Sequence, residues 1–109
     1  MKEILYINIA NDFTDTPGAR YHEDGDFSGQ DFREKFIEPN FNKYEKIKIN
    51  LDGTEGYATS FLEEAFGGTS RKFGIDAALK KFEFVSNEEP DLLDEIKGYI
   101  IDSKKSKNS

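Results

Sequence analysis

Between Lys46 and Gly68 the hydrophobic pattern of the chain changes period, and no other stretch limits the fold as strongly. In "KIKINLDG" the side chains of Ile47, Ile49 and Leu51 point one way and those of Lys48, Asn50 and Asp52 the other. That is the two-residue alternation of a half-buried strand. In "TSFLEEAFGG" Phe61, Leu62, Ala65 and Phe66 recur at helical spacing instead. A strand that passes through a short glycine-containing loop into a helix begins a crossover connection. Crossovers imply a sheet with helices packed on it.

The rest of the chain fits that architecture. "KEILYINIA" (Lys2 to Ala10) and "FEFVS" (Phe82 to Ser86) are rich in β-branched and aromatic residues and are expected to be strands. "ARYH" (Ala19 to His22) lies between the turn dipeptides Pro17-Gly18 and Asp24-Gly25, and the spacing predicts a short antiparallel edge strand there. Ser28 is expected to cap a helix, with Asp31 as the returning acid of a capping box. Phe32, Phe36 and Ile37 follow at helical spacing until Pro39 stops the helix, and Phe41 and Tyr44 carry the apolar face beyond it. Thr59 or Ser60 is expected to cap the helix after the central strand, with Glu63 and Glu64 as solvated partners of its dipole. "IDAALKK" reads as a short helix. Leu92, Leu93, Ile96, Tyr99 and Ile100 stripe a last helix entered through Pro90.

The expected fold is therefore α/β, one domain with a mixed sheet of about four strands and helices packed mainly on one side. Ten Phe spread along 109 residues support a single core. Residues 1–102 form the expected domain. The last seven residues, "SKKSKNS" (103–109), are expected to be a flexible basic tail.

Composition removes several function classes. There is no Cys, so no disulfide, thiolate zinc site or cysteine nucleophile is available. A single His, His22, excludes a histidine-rich metal site. No catalytic set, metal or cofactor is expected. A net charge of −7 disfavours nucleic acid as a partner. The N-terminal stretch lacks the apolar run of a signal peptide, and no segment is long and apolar enough to span a membrane, which leads to a cytoplasmic expectation.

Two groups of residues carry candidate chemistry. Ser60 and Thr59 stand where a helix begins. A hydroxyl there can cap the helix, worth about 1 kcal/mol, or accept a phosphoryl group that free backbone N–H groups and the helix dipole stabilise. Periodicity leaves both roles open. The long polar loop before Ser28 holds Arg20, able to grip a phosphate or carboxylate, and His22 near Asp24 and Asp26, a candidate acid–base pair. The loop lacks the ligand spacing of a calcium site. Gly67-Gly68 falls inside a helix with no P-loop Lys after it, so close packing explains it better than phosphate binding.

Three stretches, "TPGARY" (Thr16 to Tyr21), "FSGQDFREKF" (Phe27 to Phe36) and above all "LDGTEGYATSFLEEAFGG" (Leu51 to Gly68), resemble a bacterial STAS-like domain family of unknown function. Its fold is similar to that of the STAS modules of anti-sigma factor antagonists. In those modules a Ser at the start of the helix after a central strand is phosphorylated by a partner of the histidine-kinase-like ATPase fold, and only the unphosphorylated form binds. The resemblance puts Ser60 at that position and Thr59 just before it. Ala58 stands where the antagonists carry Asp, and Phe61 where they carry Gly. The resemblance implies a non-enzymatic regulatory module that meets a protein partner through Thr54, Glu55, Tyr57 and Phe61. The other function in view is a small nucleotide- or anion-binding protein or enzyme built on Arg20 and His22. An N-terminal edge strand also offers pairing into a homodimer.

Overall fold

Three strands form where the alternation predicts them: β1 (Lys2–Asn8), β2 (Tyr44–Asn50) and β3 (Phe82–Val85). The computed structural model describes residues 2–103. β1 and β3 both pair with β2, and both pairings are parallel. The register aligns Leu5, Ile47 and Phe82 across the sheet, and behind them Ile7, Ile49 and Phe84. These side chains make the floor of the core. The alternate positions Ile4, Tyr6, Lys46, Lys48 and Glu83 occupy the opposite face.

The strand order β1-β2-β3 follows the sequence, so both crossovers step in the same direction. Right-handed crossovers of that kind place their helices on one face of the sheet, and the burial of Ile7, Ile47, Ile49 and Phe82 on that face agrees. The first crossover holds α1 (Ile9–Asp12), a 3-10 turn at His22–Asp24, and α2 (Gly29–Phe32), which continues as a π-helical turn at Arg33–Ile37. The second holds α3 (Thr59–Leu62), a π-helical turn at Glu63–Gly67, α4 (Gly68–Phe73) and α5 (Ile75–Lys81). The final helix is α6 (Leu92–Ile101). Phe66 meets Phe82 and Phe84 edge to face, at centroid distances of 5.4 and 5.0 Å, and so joins the long helix to the sheet.

Several local expectations hold. Ser28 caps α2 by accepting from the Asp31 N–H at 3.0 Å, and the Asp31 carboxylate accepts from the Ser28 N–H at 3.4 Å. Phe41 is buried past Pro39 and stacks on Phe73 at 3.9 Å. Tyr44, however, opens β2 and does not extend the preceding apolar face.

The "ARYH" strand does not form, so the described residues hold a three-stranded parallel sheet and not a mixed sheet of about four. The backbone of this segment is already committed. The carbonyls of Ala19 and Arg20 accept from the N–H groups of Gly29 and Gln30 at 2.9 and 3.0 Å, and that of Tyr21 accepts from Asp24. The basic tail at 103–109 lies outside the described residues except for Ser103. That residue is buried and its hydroxyl meets the Ser70 hydroxyl at 3.0 Å, so it packs with the domain.

The glycines give a direct test of this packing. A Cβ at Gly29 would sit 2.4 Å from the Phe61 carbonyl oxygen, a backbone atom with no freedom to yield, whereas a Cβ at Gly98 meets nothing within 4 Å. Gly98→Ala in α6 is therefore expected to raise stability by about 0.5–1 kcal/mol through helix propensity. Gly29→Ala is expected to lower it by at least ~2 kcal/mol. Urea unfolding of the two variants checks the sign of each.

Candidate functional site

The loop that follows β2 is built by two glycines and a tyrosine. Gly53 and Gly56 adopt φ values of 96° and 130°, which side chains other than glycine disfavour. Tyr57 folds back and donates its hydroxyl to the Leu51 carbonyl at 2.8 Å, and burial pushes its pKa well above the ordinary tyrosine value. The loop is also strapped to the segment before α2. The Glu55 N–H donates to Asp15 O at 2.8 Å and the Ala58 N–H to Pro17 O at 3.1 Å.

That strap decides where the helix begins. Ala58 is extended, and its carbonyl accepts from the Leu62 N–H at 3.2 Å, so Ala58 is the N-cap residue. Thr59 and Ser60 therefore lie in the first turn, and neither caps it, contrary to the expectation from spacing. Among the described residues no side chain caps this helix start. Thr59 is exposed and Ser60 half-buried. Thr59 also faces the hydroxyl of Tyr99 on α6: burial raises the Tyr99 pKa, and hydrogen bonding with Thr59 opposes the rise.

Around this start the chain ends of β2 and β3 form an acidic rim. Asp52 accepts from the N–H groups of Asn87 and Glu88, both at 2.9 Å, and from the Asn87 side-chain amide at 3.1 Å. Glu88 in turn accepts from the Gly53 N–H at 2.9 Å. Glu55, Glu88, Glu89 and Asp91 are exposed here. The depression between Thr54, Tyr57, Ser86 and Glu89 has a volume of about 10 Å³. It holds one water at most. The depression is too small to enclose a ligand larger than water.

Of the residues expected to meet a partner, Thr54, Glu55 and Tyr57 reach this surface. Phe61 does not. It is 0% exposed and packs among Phe32, Phe13 and Tyr57, so it belongs to the core.

Arg20 is not a free anion site either. Its guanidinium donates to Glu63 at 2.6 Å and lies 3.5 Å from Glu64. Both carboxylates are buried, not solvated. Arg71 binds Glu63 at 2.6 Å and approaches Glu64 at 3.5 Å, and Arg33 binds Glu64 at 2.9 Å and also Glu38. The π-helical turn at Glu63–Gly67 is wider than an α turn, and both adjacent carboxylates reach the same two arginines, Arg20 and Arg71. Burial alone would raise the Glu63 pKa, but hydrogen bonds and charge from Arg71 and Arg20 outweigh it and hold the group below its ordinary value. Sequence spacing missed this cluster because its partners lie far apart in the chain. The pattern did carry one sign: Glu63 and Glu64 are flanked on both sides by apolar and small residues. A helix apolar nearly all round is buried, and its acids then need cations.

His22 places its Nδ1 3.3 Å from Asp31 Oδ1, but that carboxylate already serves the Ser28 capping box. Asp24 accepts from the Tyr21 N–H at 3.2 Å, and both Asp24 and Asp26 are exposed. The loop thus assembles turn and cap contacts. Phe27, just before α2, takes a left-handed φ of 58° and stacks edge to face on Phe13. Among the described residues no group of three or more His, Cys, Asp or Glu is placed to hold a metal ion, and no helix is long and apolar enough to cross a membrane.

The Glu63 cluster makes stability depend on acid. Because its folded-state pKa is depressed, Glu63 contributes fully above the ordinary glutamate value, and the contribution is lost as pH falls through the lowered folded value. Glu63→Gln is expected to cost about 2–3 kcal/mol near neutrality, somewhat less than a fully buried broken pair because Arg20 keeps some solvent. The variant should also lose less stability than the parent as pH falls below the ordinary glutamate value, because the parent's lowered Glu63 pKa is titrated there. Denaturant titrations at several pH values read both effects.

No curated protein and no solved structure gives a match to the chain. A family model does. The model described as "STAS-like domain of unknown function (DUF4325)" matches residues 28–92. That range runs from the Ser28 cap through α2, β2, the strapped loop, the Glu63–Glu64 turn and β3 to the first residue of α6. It contains two of the three stretches on which the resemblance rests nearly whole, while "TPGARY" lies outside it. By this match over more than half its length, the chain belongs to the family of STAS-like domains of unknown function.

Proposed function

We propose that this chain is a non-enzymatic regulatory module that docks a protein partner on the rim formed by Thr54, Glu55, Tyr57 and the first turn of α3, and that a phosphoryl group on Ser60 or Thr59 releases the partner. The observation that carries this is the uncapped helix start. Two hydroxyl residues occupy the first turn, one exposed and one half-buried, where backbone N–H groups have no side-chain acceptor. A phosphate there gains those N–H groups and the dipole. It adds close to two negative charges next to a rim that already carries Glu55, Glu88 and Glu89. Both the shape and the charge of the docking surface then change.

The surroundings favour a switch of this kind. The strap to Asp15 and Pro17 and the carboxylate cluster behind α3 hold the first turn fixed, so a modification changes a preformed surface and does not merely decorate a loose loop. By analogy with anti-sigma factor antagonists, the partner has the histidine-kinase-like ATPase fold and supplies the phosphoryl group from ATP, in a bacterial cytoplasm. The second reading, a nucleotide- or anion-binding protein built on Arg20 and His22, finds less support. Arg20 is neutralised by Glu63, and His22 rests against a carboxylate engaged in a cap.

Site-resolved mass spectrometry of the untagged protein from its native cells, with co-purifying proteins identified in the same run, tests this. Phosphate on Ser60 or Thr59, and a partner that binds the Ser60→Ala protein but binds Ser60→Glu at least about tenfold more weakly, is the expected result. An unmodified Ser60 and Thr59 in every growth condition, with equal partner binding by both variants, would contradict it.

A further inference from the structure

Among the described residues nothing packs over the face of the sheet turned away from the helices. Parallel sheets are nearly always covered on both faces, yet here the two same-handed crossovers leave one face without a layer. Tyr6 in its middle is 67% exposed and Ile4 beside it 37%. A shallow depression of about 460 Å³ runs between Tyr6, Asn8, Lys48, Asn50 and Val85. The sheet register puts Tyr6 level with Lys48 and Glu83, Ile4 level with Lys46, and Lys2 level with Tyr44. The Lys48 ammonium lies 6.0 Å from the Tyr6 ring and that of Lys2 5.6 Å from the Tyr44 ring. Lys46 donates to the Lys80 carbonyl at 2.6 Å at the border of the face.

The sign of this face is opposite to that of the molecule. The chain carries a net −7, but Lys2, Lys46 and Lys48 share the face with one strand carboxylate, Glu83. Asp12 stands at its end, with an oxygen taken by the Asn8 N–H at 2.8 Å. We propose that the bare face is a second docking surface, and that its occupant is an acidic amphipathic helix of a partner protein, laying an apolar ridge over Tyr6, Ile4 and Val85 with carboxylates toward Lys2, Lys46 and Lys48.

Charge selects this occupant over the others. A second copy packed face to face would bring together two surfaces of the same net positive sign, each with three lysines against one strand carboxylate. The chain's residues 104–109 carry Lys104, Lys105 and Lys107, the same sign again. A nucleic acid would bring continuous phosphates to Glu83 and to a chain whose overall field repels them. A helix can place its acids only where the lysines are, and it supplies the missing layer of an α/β sandwich. The proposal stands apart from the switch at Ser60, since α3 lies on the covered face.

Two synthetic amphipathic helical peptides with the same leucine ridge, one flanked by Glu and one by Lys, are titrated into isotope-labelled protein, with a thymidine oligonucleotide as a third probe. The Glu peptide is expected to saturate and to shift the amides of Ile4, Tyr6, Lys48 and Val85. The Lys2→Glu/Lys48→Glu protein should bind it at least about tenfold more weakly and accept the Lys peptide instead. Tyr6→Ser, at an exposed position, should weaken the Glu peptide without altering the charge, and serves if the double variant fails to fold. No saturation by the Glu peptide, equal affinity for both peptides, tighter binding of the oligonucleotide, or a self-dimer in sedimentation that shifts the same amides would each overturn the proposal.

Discussion

Two carboxylates inside a helix govern how this domain is assembled. Glu63 and Glu64 are buried in the middle of the second crossover and draw in Arg20 from the loop before α2, Arg33 from the end of α2, and Arg71 from α4. Removing such charges from water costs several kcal/mol per ion before the pairing offsets it, roughly. A network of this type is therefore weak evidence for high stability and better evidence for a unique arrangement. It makes the position of three separate segments conditional on one helical turn. The glycines after it belong to the same design. A Cβ at Gly67 would lie 2.5 Å from Glu63 Oε2, and one at Gly68 would lie 2.7 Å from Arg33 Nε. "EEAFGG" is thus a single packing unit, in which two acids attract arginines and two glycines leave them room. Arg33 Nε is buried without a hydrogen-bond partner among the described residues, a cost consistent with its close seat over Gly68.

The strap, the rim and the helix start all rest on that unit. The segment that carries Arg20 to Glu63 is the same one whose Asp15 and Pro17 carbonyls hold Glu55 and Ala58. Ala58 becomes the N-cap through that contact, which in turn leaves Thr59 and Ser60 in an uncapped first turn. The chemistry proposed for these hydroxyls depends on a salt-bridged anchor about one helical turn further along the chain, at Glu63. On the other side of the sheet no such reinforcement lies among the described residues, and Lys2, Lys46 and Lys48 share that face with Ile4 and Tyr6.

Much of the fold was legible because short-range periodicity reported it. The alternation of Ile47 and Ile49, the spacing from Ser28 to Asp31, the run from Ile75 to Lys81 and the stripe from Leu92 to Ile100 each specify an element within a few residues. What spacing could not show was which long-range partner would claim a backbone or a charge. "ARYH" has the look of a strand, yet the N–H groups of Gly29 and Gln30 take its carbonyls. Ser60 has the look of a cap, yet the Pro17 carbonyl sets the boundary one or two residues earlier. Phe61 follows the two hydroxyl residues in sequence, which suggests a place on the partner surface, yet it packs in a phenylalanine cluster, as its place in the apolar stripe with Leu62, Ala65 and Phe66 implies. Glu63 and Glu64 follow the rule for solvated first-turn acids, and only the arginines brought from residues 20, 33 and 71 reverse it.

The central claim, that the carboxylate cluster positions the surface around Thr59 and Ser60, is tested most directly by amide hydrogen exchange on an Arg20→Ala protein. Exchange reports local opening separately from global unfolding. If the claim is right, the Glu55 and Ala58 amides, which donate to Asp15 and Pro17, lose protection, while Ile47 and Ile49 in the central strand keep most of theirs. Unchanged protection at Glu55 and Ala58 would show that the strap holds without its anchor, and would contradict the account.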